Sequence, residues 1–224
     1  MRVKVPTDSL AQAMGLNQNQ GMKRARAIGI VGLTLLAAWS LAALAAPSAS
    51  ASVRLEIDPS GSEVGFLLDT TFHTVEGRTK AVTGCVTSDG GDIFADGRVT
   101  VEIEAAKLET GNGSRDKKMR ETCLETGKHP KIIFSSTAKP AIVSSSKDQA
   151  GGYKEVKATV PGDLTIHGVK RAVSLPVEAR HEATGWVITG KIPVKLSDYA
   201  IPDPSIFFNK VKDEVTVTFS VRVK

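Results

Sequence analysis

The C-terminal segment VKDEVTVTFSVRVK, residues 211–224, constrains the fold more than any other stretch of the chain. Val215, Val217, Phe219, Val221 and Val223 fall on one face of an extended chain, and Thr216, Thr218, Ser220, Arg222 and Lys224 on the other. Strict period-two alternation is the pattern of a sheet with one apolar and one polar face. GRVTVEIEAA (97–106) repeats it, with Val99, Val101, Ile103 and Ala105 opposite Thr100, Glu102 and Glu104. Between 153 and 166 the even positions Val156, Ala158, Val160, Leu164 and Ile166 again share a side. Shorter strand-like runs lie at 53–57, 62–69, 72–79, 81–87 and 131–137. Two more, 171–180 and 185–196, carry Pro176 and Pro193, which places an edge or a bend in each.

Turn signals separate these runs: Pro59-Ser60-Gly61, Asp89-Gly90-Gly91, Asp96-Gly97, Asn112-Gly113, Gly151-Gly152 and Thr184-Gly185. Many strands with turns between them and no alternating helices predict an all-β antiparallel sandwich or closed barrel. One helix is expected, near 115–124 in RDKKMRETCLETGKHPKIIFSS (115–136). Ser114 can cap it, Asp116 suits its first turn, and Met119 and Cys123 share a face. Gly127 and Pro130 then stop it.

Residues 1–51 read as an N-terminal extension and a secretory signal peptide, leaving one domain at 52–224. Lys23, Arg24 and Arg26 precede an apolar run from Ala27 to Ala46, followed by PSASAS. A basic region, an apolar region and small residues are the grammar of an export signal. Cleavage fits after Ala45 or after Ala51. The competing reading is an uncleaved anchor, because about 20 apolar residues can span a bilayer. Residues 1–51 hold five Lys/Arg and one Asp, so the formal charge of +5 becomes 24 basic against 23 acidic groups in the remainder. A nucleic-acid partner needs clustered basic charge, which that balance does not offer.

Cys85 and Cys123 are the two cysteines of a chain expected to be exported to the periplasm or secreted. A Cys85–Cys123 disulfide is the simplest expectation in an oxidising compartment. It would be worth about 3–4 kcal/mol in the chain-entropy model. Two buried free thiols are the alternative. His73, His129, His167 and His181 are scattered, and no two stand three or four apart, so no metal site is read from them. His167, in GDLTIHG, ends a strand beside a glycine, where a turn-stabilising hydrogen bond is the simpler role. No nucleophile elbow, phosphate loop or HExxH motif occurs. No catalytic residue is assigned, and the chain is not expected to be an enzyme.

Four stretches, in order, carry a resemblance: LEIDPSGSEVGF (55–66), LETGNGSRDKKMRE (108–121) running on into KHPKIIFSS (128–136), GDLTIHGVKRAVSLPV (162–177) and DEVTVTFSV (213–221). They resemble the YceI-like family of periplasmic lipid-binding proteins over nearly all of residues 53–223. The resemblance implies an extended lipocalin-like antiparallel β-barrel of about eight strands with a long apolar pore. It implies a polyprenyl lipid or isoprenoid quinone as ligand, no further cofactor and transient membrane contact, and it leaves the oligomeric state open, a dimer included. Arg115, Asp116, Leu164, Thr165, His167 and Gly168 belong to its motifs and read as architectural. Cys123-Leu124 stand where the family usually has an aromatic residue. Strand parity nominates Phe66, Val101, Ile103, Phe134, Leu164, Ile166, Val217 and Phe219 as the pore lining. The leading expectation is therefore a periplasmic carrier. A structural or stress-response interaction module with a filled core is the second reading, and an esterase-like hydrolase using His167 the third.

Overall fold

The computed structural model describes residues 52–205 and 207–224, so the expected signal peptide and its cleavage points lie outside the described residues. Among the described residues eleven strands form one antiparallel sheet. They are β1 (Val53–Glu56), β2 (Glu63–Thr70), β3 (Thr74–Thr79), β4 (Val82–Ser88), β5 (Arg98–Glu104), β6 (Lys131–Ser136), β7 (Ala141–Lys147), β8 (Tyr153–Ile166), β9 (Val169–Glu182), β10 (Gly185–Lys195) and β11 (Val211–Val223). The order is β1-β4-β5-β6-β8-β9-β10-β11-β2-β3, with β7 attached to β8.

That order turns back on itself. Ile57 bridges Val223, and Glu56 and Lys224 exchange both backbone bonds at 2.9 and 3.1 Å. Strand β1 thus touches β4 on one side and the end of β11 on the other, giving a ring of eight strands. The β2–β3 hairpin and β7 are additions to that ring, which is why the sheet exceeds the eight strands expected. After a 3-10 turn at Pro59–Gly61, β2 replaces β1 as the partner of β11. At the other end β3 meets the segment after β5, where Arg78 and Glu109 exchange backbone bonds of 2.9 and 3.0 Å. Asp58 fastens the first seam, accepting from the Ser60 backbone at 3.0 Å and from Lys224 Nζ at 2.9 Å. Lys224, then Ser60, hold its carboxyl down at about 2. A folded-state value below the ordinary one contributes stability above the usual carboxylate range, lost as the pH falls toward that value.

The parity seen in the sequence is the parity of the barrel. In β8, Val156, Ala158, Val160, Leu164 and Ile166 are buried. In β11, Val215, Val221 and Val223 are buried and Val217 and Phe219 half-buried. The two prolines do interrupt pairing. Strands β9 and β10 pair only as far as Val177 and Gly190, and Pro176 and Pro193 lie just beyond, where neither needs an N–H for the other strand.

Three phenylalanine rings are laid over glycines inside the barrel. A Cβ on Gly77 would stand 2.3 Å from Phe66, one on Gly190 2.4 Å from Phe219, and one on Gly162 2.5 Å from Phe134. Each ring therefore depends on a missing side chain on a neighbouring strand. Two apolar clusters result, one around Val86, Phe94, Val156 and Val223, the other around Leu108, Phe134, Leu164 and Tyr199.

Helix α1 (Gly113–Lys118) continues as a wider turn over Met119–Cys123, close to the expected span. Its cap is Asn112, not Ser114: the helix begins two residues earlier, and the Asn112 side chain accepts from the Arg115 N–H at 3.0 Å. Arg115 and Asp116 both clasp Thr110. Arg115 donates to its hydroxyl and carbonyl at 2.7 and 2.8 Å, and buried Asp116 accepts from its backbone N–H at 2.9 Å. These motif residues anchor the helix, as their reading as architecture anticipated.

The expected Cys85–Cys123 disulfide is corrected: both cysteines are free. Parity is the reason. Val82, Val86 and Ser88 of β4 are buried, which puts Cys85 on the opposite, outer face. Cys123 is buried at the end of the helical segment, inside the barrel wall. Burial pushes its thiol up, away from the reactive thiolate. A thiol reagent is therefore expected to modify Cys85 well before Cys123 in the native protein, and both equally once unfolded. Equal native rates, measured by peptide mass spectrometry, would contradict this placement.

Candidate functional site

Helix α1 and the turn after it lie across one end of the barrel, and beneath them is a cavity of about 450 Å³. Its walls are almost wholly apolar: Phe66 and Leu68 from β2, Val75 from β3, Ile166 from β8, Val194 from β10, Val215 and Val217 from β11. Met119, Cys123 and Leu124 form the helical side, and Ile201 and Pro204 the loop side. Polar groups gather at one rim: Thr70, His73, Asn112, Ser114, Arg115, Lys118 and Asn209. His73, Asn112 and Ser114 are exposed, so the cavity meets solvent between the β2–β3 turn, the start of α1 and the segment around Pro204 and Asn209. Lys118 ties helix to loop, donating to the Pro204 carbonyl at 2.9 Å. The Oδ1 atom of Asn209 is buried with no hydrogen-bond partner among the described residues. The site can accept a hydrocarbon chain inside and a polar group at the rim.

A second void of about 90 Å³ lies in the other half of the barrel, between Phe134, Phe219, Val177 and Val221. The nominated lining residues divide accordingly. Phe66, Ile166 and Val217 line the large cavity, and Val101, Phe134 and Phe219 the small void. Leu164 is buried in the second cluster, Ile103 half-buried against the first, and neither lines either of these two spaces. The single long pore expected from the resemblance is thus two unequal spaces with aromatic rings between them. Of the wall residues not nominated, Met119, Cys123, Leu124, Ile201 and Pro204 come from the helical segment and the 201–204 loop, which have no period-two pattern. Val75 and Val194 did carry a signal, since each sits on the buried side of its own strand.

His167 sits at the tip of the tight β8–β9 hairpin with a left-handed backbone, φ 51°. Its Nδ1 lies 3.3 Å from the Tyr199 carbonyl and its Nε2 3.0 Å from Glu125 Oε2. Among the described residues no hydroxyl is hydrogen-bonded to either ring nitrogen, so the geometry does not favour the esterase reading. Glu125 is a neighbour that the scattered histidines did not suggest.

The geometry has known counterparts. The sequence model of the YceI-like domain family matches residues 55–223. A UPF0312 protein of Vibrio campbellii is 25% identical over 181 residues, covering 75% of this chain and 88% of that protein. A UPF0312 protein of Photorhabdus laumondii is 29% identical over 176 residues, covering 74% and 83%. Among solved structures, Burkholderia cenocepacia BcnA aligns with a TM-score of 0.60 at 23% identity, over 75% of this chain and 99% of that one. A polyisoprenoid binding domain from Saccharophagus degradans, implicated in plant cell wall breakdown, aligns with a TM-score of 0.60 at 17% identity, over 76% and 97%. The solved structures share the fold, and the match across residues 55–223 establishes that this chain belongs to the YceI-like domain family.

Proposed function

We propose that the protein binds one long apolar lipid of the isoprenoid class, a polyprenyl lipid or an isoprenoid quinone, and carries it in the periplasm after export. The observation that carries this reading is the 450 Å³ cavity, apolar throughout and polar only at its opening. Pockets of this order take up small or drug-sized groups, so the cavity accommodates the head-proximal part of a chain. The polar head then lies at the rim, beside Arg115, Lys118 and the buried Asn209 oxygen, which has no partner among the described residues. Burying about 500 Å² of hydrocarbon is worth on the order of 12 kcal/mol gross at roughly 25 cal/mol per Å², and ordering and association costs reduce that heavily. The Saccharophagus domain, described as polyisoprenoid-binding, supports the choice of ligand class.

Loading needs access to a bilayer. Phe72, Phe207 and Phe208 are 71%, 89% and 87% exposed. They stand on two loops that flank the opening and are joined by Thr71 and Lys210, whose backbones bond at 2.9 Å. Inserting each ring into lipid is worth about 1.5–3 kcal/mol at full burial. Replacing all three by Ser is expected to lower co-sedimentation with vesicles at least tenfold without changing Tm. Unaltered sedimentation would remove the membrane contact from the account.

Organic extraction of protein purified from its native host, followed by mass spectrometry, tests the function itself. An isoprenoid lipid in stoichiometric amount is the expected result. No co-purifying lipid, together with no binding of added polyprenols or quinones, would favour the interaction-module reading.

A further inference from the structure

Three side chains able to ligate a metal meet beside the β8–β9 turn, outside the cavity. Glu125 and His129 belong to the turn that follows the helix, four residues apart, and the N–H groups of Lys128 and His129 both donate to the Glu125 carbonyl, at 2.8 and 2.9 Å. His167 arrives from the hairpin tip. One ligating atom from each lies within 4.8 Å of the other two. The His129 and His167 rings meet edge-on with centroids 4.8 Å apart. Gly168 makes room for them, since a Cβ there would lie 2.6 Å from the His129 ring. Glu125 and His167 both hold left-handed backbones, φ 41° and 51°. Non-glycine residues in that region are uncommon and cluster where a site demands them.

The two groups facing His167, the Tyr199 carbonyl and the Glu125 carboxylate, are both acceptors. Neutral imidazole has one N–H, which leaves the other nitrogen's lone pair aimed at an oxygen. Either a second proton or a cation resolves that conflict. With Nδ1–H donating to the Tyr199 carbonyl, Nε2 is left free to ligate, which is the outer-shell arrangement common to metal-bound histidines. Lys128 pairs with Oε1 of Glu125 and leaves Oε2 on the histidine side.

We propose that Glu125, His129 and His167 form a zinc(II) site, with water as fourth ligand. Two imidazoles and one carboxylate are a donor set zinc takes, whereas calcium and magnesium require more oxygens. Tetrahedral bonds of about 2.0–2.1 Å put neighbouring donors roughly 3.3–3.4 Å apart. The His167–Glu125 separation of 3.0 Å is already near this, and His129 reaches it by turning its ring. A bound ion would fasten the turn after the helix to the β8–β9 hairpin. The proposal is independent of the lipid reading.

The test is titration of chelator-treated protein with zinc by calorimetry, and with cobalt(II) as a spectroscopic substitute. One ion per chain is expected, with the visible bands of tetrahedral cobalt and no binding of magnesium. Glu125→Gln, His129→Asn and His167→Asn should each weaken zinc binding by about tenfold or more. Asparagine is chosen at 167 because it tolerates the left-handed backbone. His181→Ala, remote from the cluster in sequence, should leave the stoichiometry unchanged. Absence of zinc binding, or binding undiminished in the three variants, overturns the proposal. So does octahedral cobalt on the unsubstituted chain, a readout that does not depend on any variant folding.

Discussion

Val217→Trp is expected to weaken binding of a polyprenyl lipid by about a hundredfold, a loss of roughly 2.7 kcal/mol. Val217 lies midway along β11, paired with Ile192 on one side and Phe66 on the other, and its side chain faces the large cavity. An indole there takes the space that hydrocarbon would occupy. Overfilling a packed interior costs about 1–3 kcal/mol, but a side chain growing into a void meets less resistance, so the fold should survive with a small change in Tm. Titration with a fluorescent polyprenol measures the affinity, and thermal unfolding controls for the fold. Wild-type affinity in a folded Val217→Trp protein would show that the chain is held elsewhere.

Phe134→Ala should destabilise the protein by about 3–5 kcal/mol, the range for deleting a buried aromatic ring. Phe134 is 7% exposed, covers Gly162 and lines the small void in the half of the barrel away from the large cavity. The ring lies over Gly162, where a side chain would collide with it, so no β8 side chain at that position can fill the space it leaves. Removing it enlarges the 90 Å³ void and widens the interior toward the large cavity. The variant should therefore shift its preference toward longer isoprenoid chains even as its Tm falls. Phe134→Leu, which keeps most of the volume, should show a smaller loss and little shift. If Phe134→Ala is as stable as the parent, the ring does not act as the partition described. Denaturant titration and competition between polyprenols of different length supply the two readouts.

How much of this was legible beforehand depends on which force fixes each part. Wherever one face of a strand is buried, alternation is enforced residue by residue, so the apolar sides of β8 and β11 could be read directly from Val156 to Ile166 and from Val215 to Val223. The helix was legible to within two residues because Asp116, Gly127 and Pro130 act locally. Its cap was misplaced because Asn112 and Ser114 both suit the role, and only the start at Gly113 decides between them. The disulfide failed for a different reason. Two cysteines and an oxidising compartment say nothing about which side of a strand each faces, and Cys85 and Cys123 face opposite ways.

The cavity was half legible. Phe66, Ile166 and Val217 follow from parity, whereas Met119, Leu124, Ile201 and Pro204 are brought to it by the helix and a loop. Parity also cannot tell a lining residue from a filling one. Phe134 and Phe219 do face inward, and it is glycines on the neighbouring strands, Gly162 and Gly190, that make room for the rings. The Glu125, His129 and His167 cluster was hidden because attention to histidine pairs passes over a glutamate. The four-residue spacing of Glu125 and His129 was the available signal, and the third member lies 38 residues beyond His129 in a different hairpin.

The apolar chamber is expected to take in a hydrocarbon chain. Native mass spectrometry of the delipidated protein after incubation with a polyprenol measures that most directly. It should record a single added mass of one lipid per chain, lost in Val217→Trp. A spectrum of bare protein at saturating lipid, or several lipids bound equally by both proteins, would contradict it.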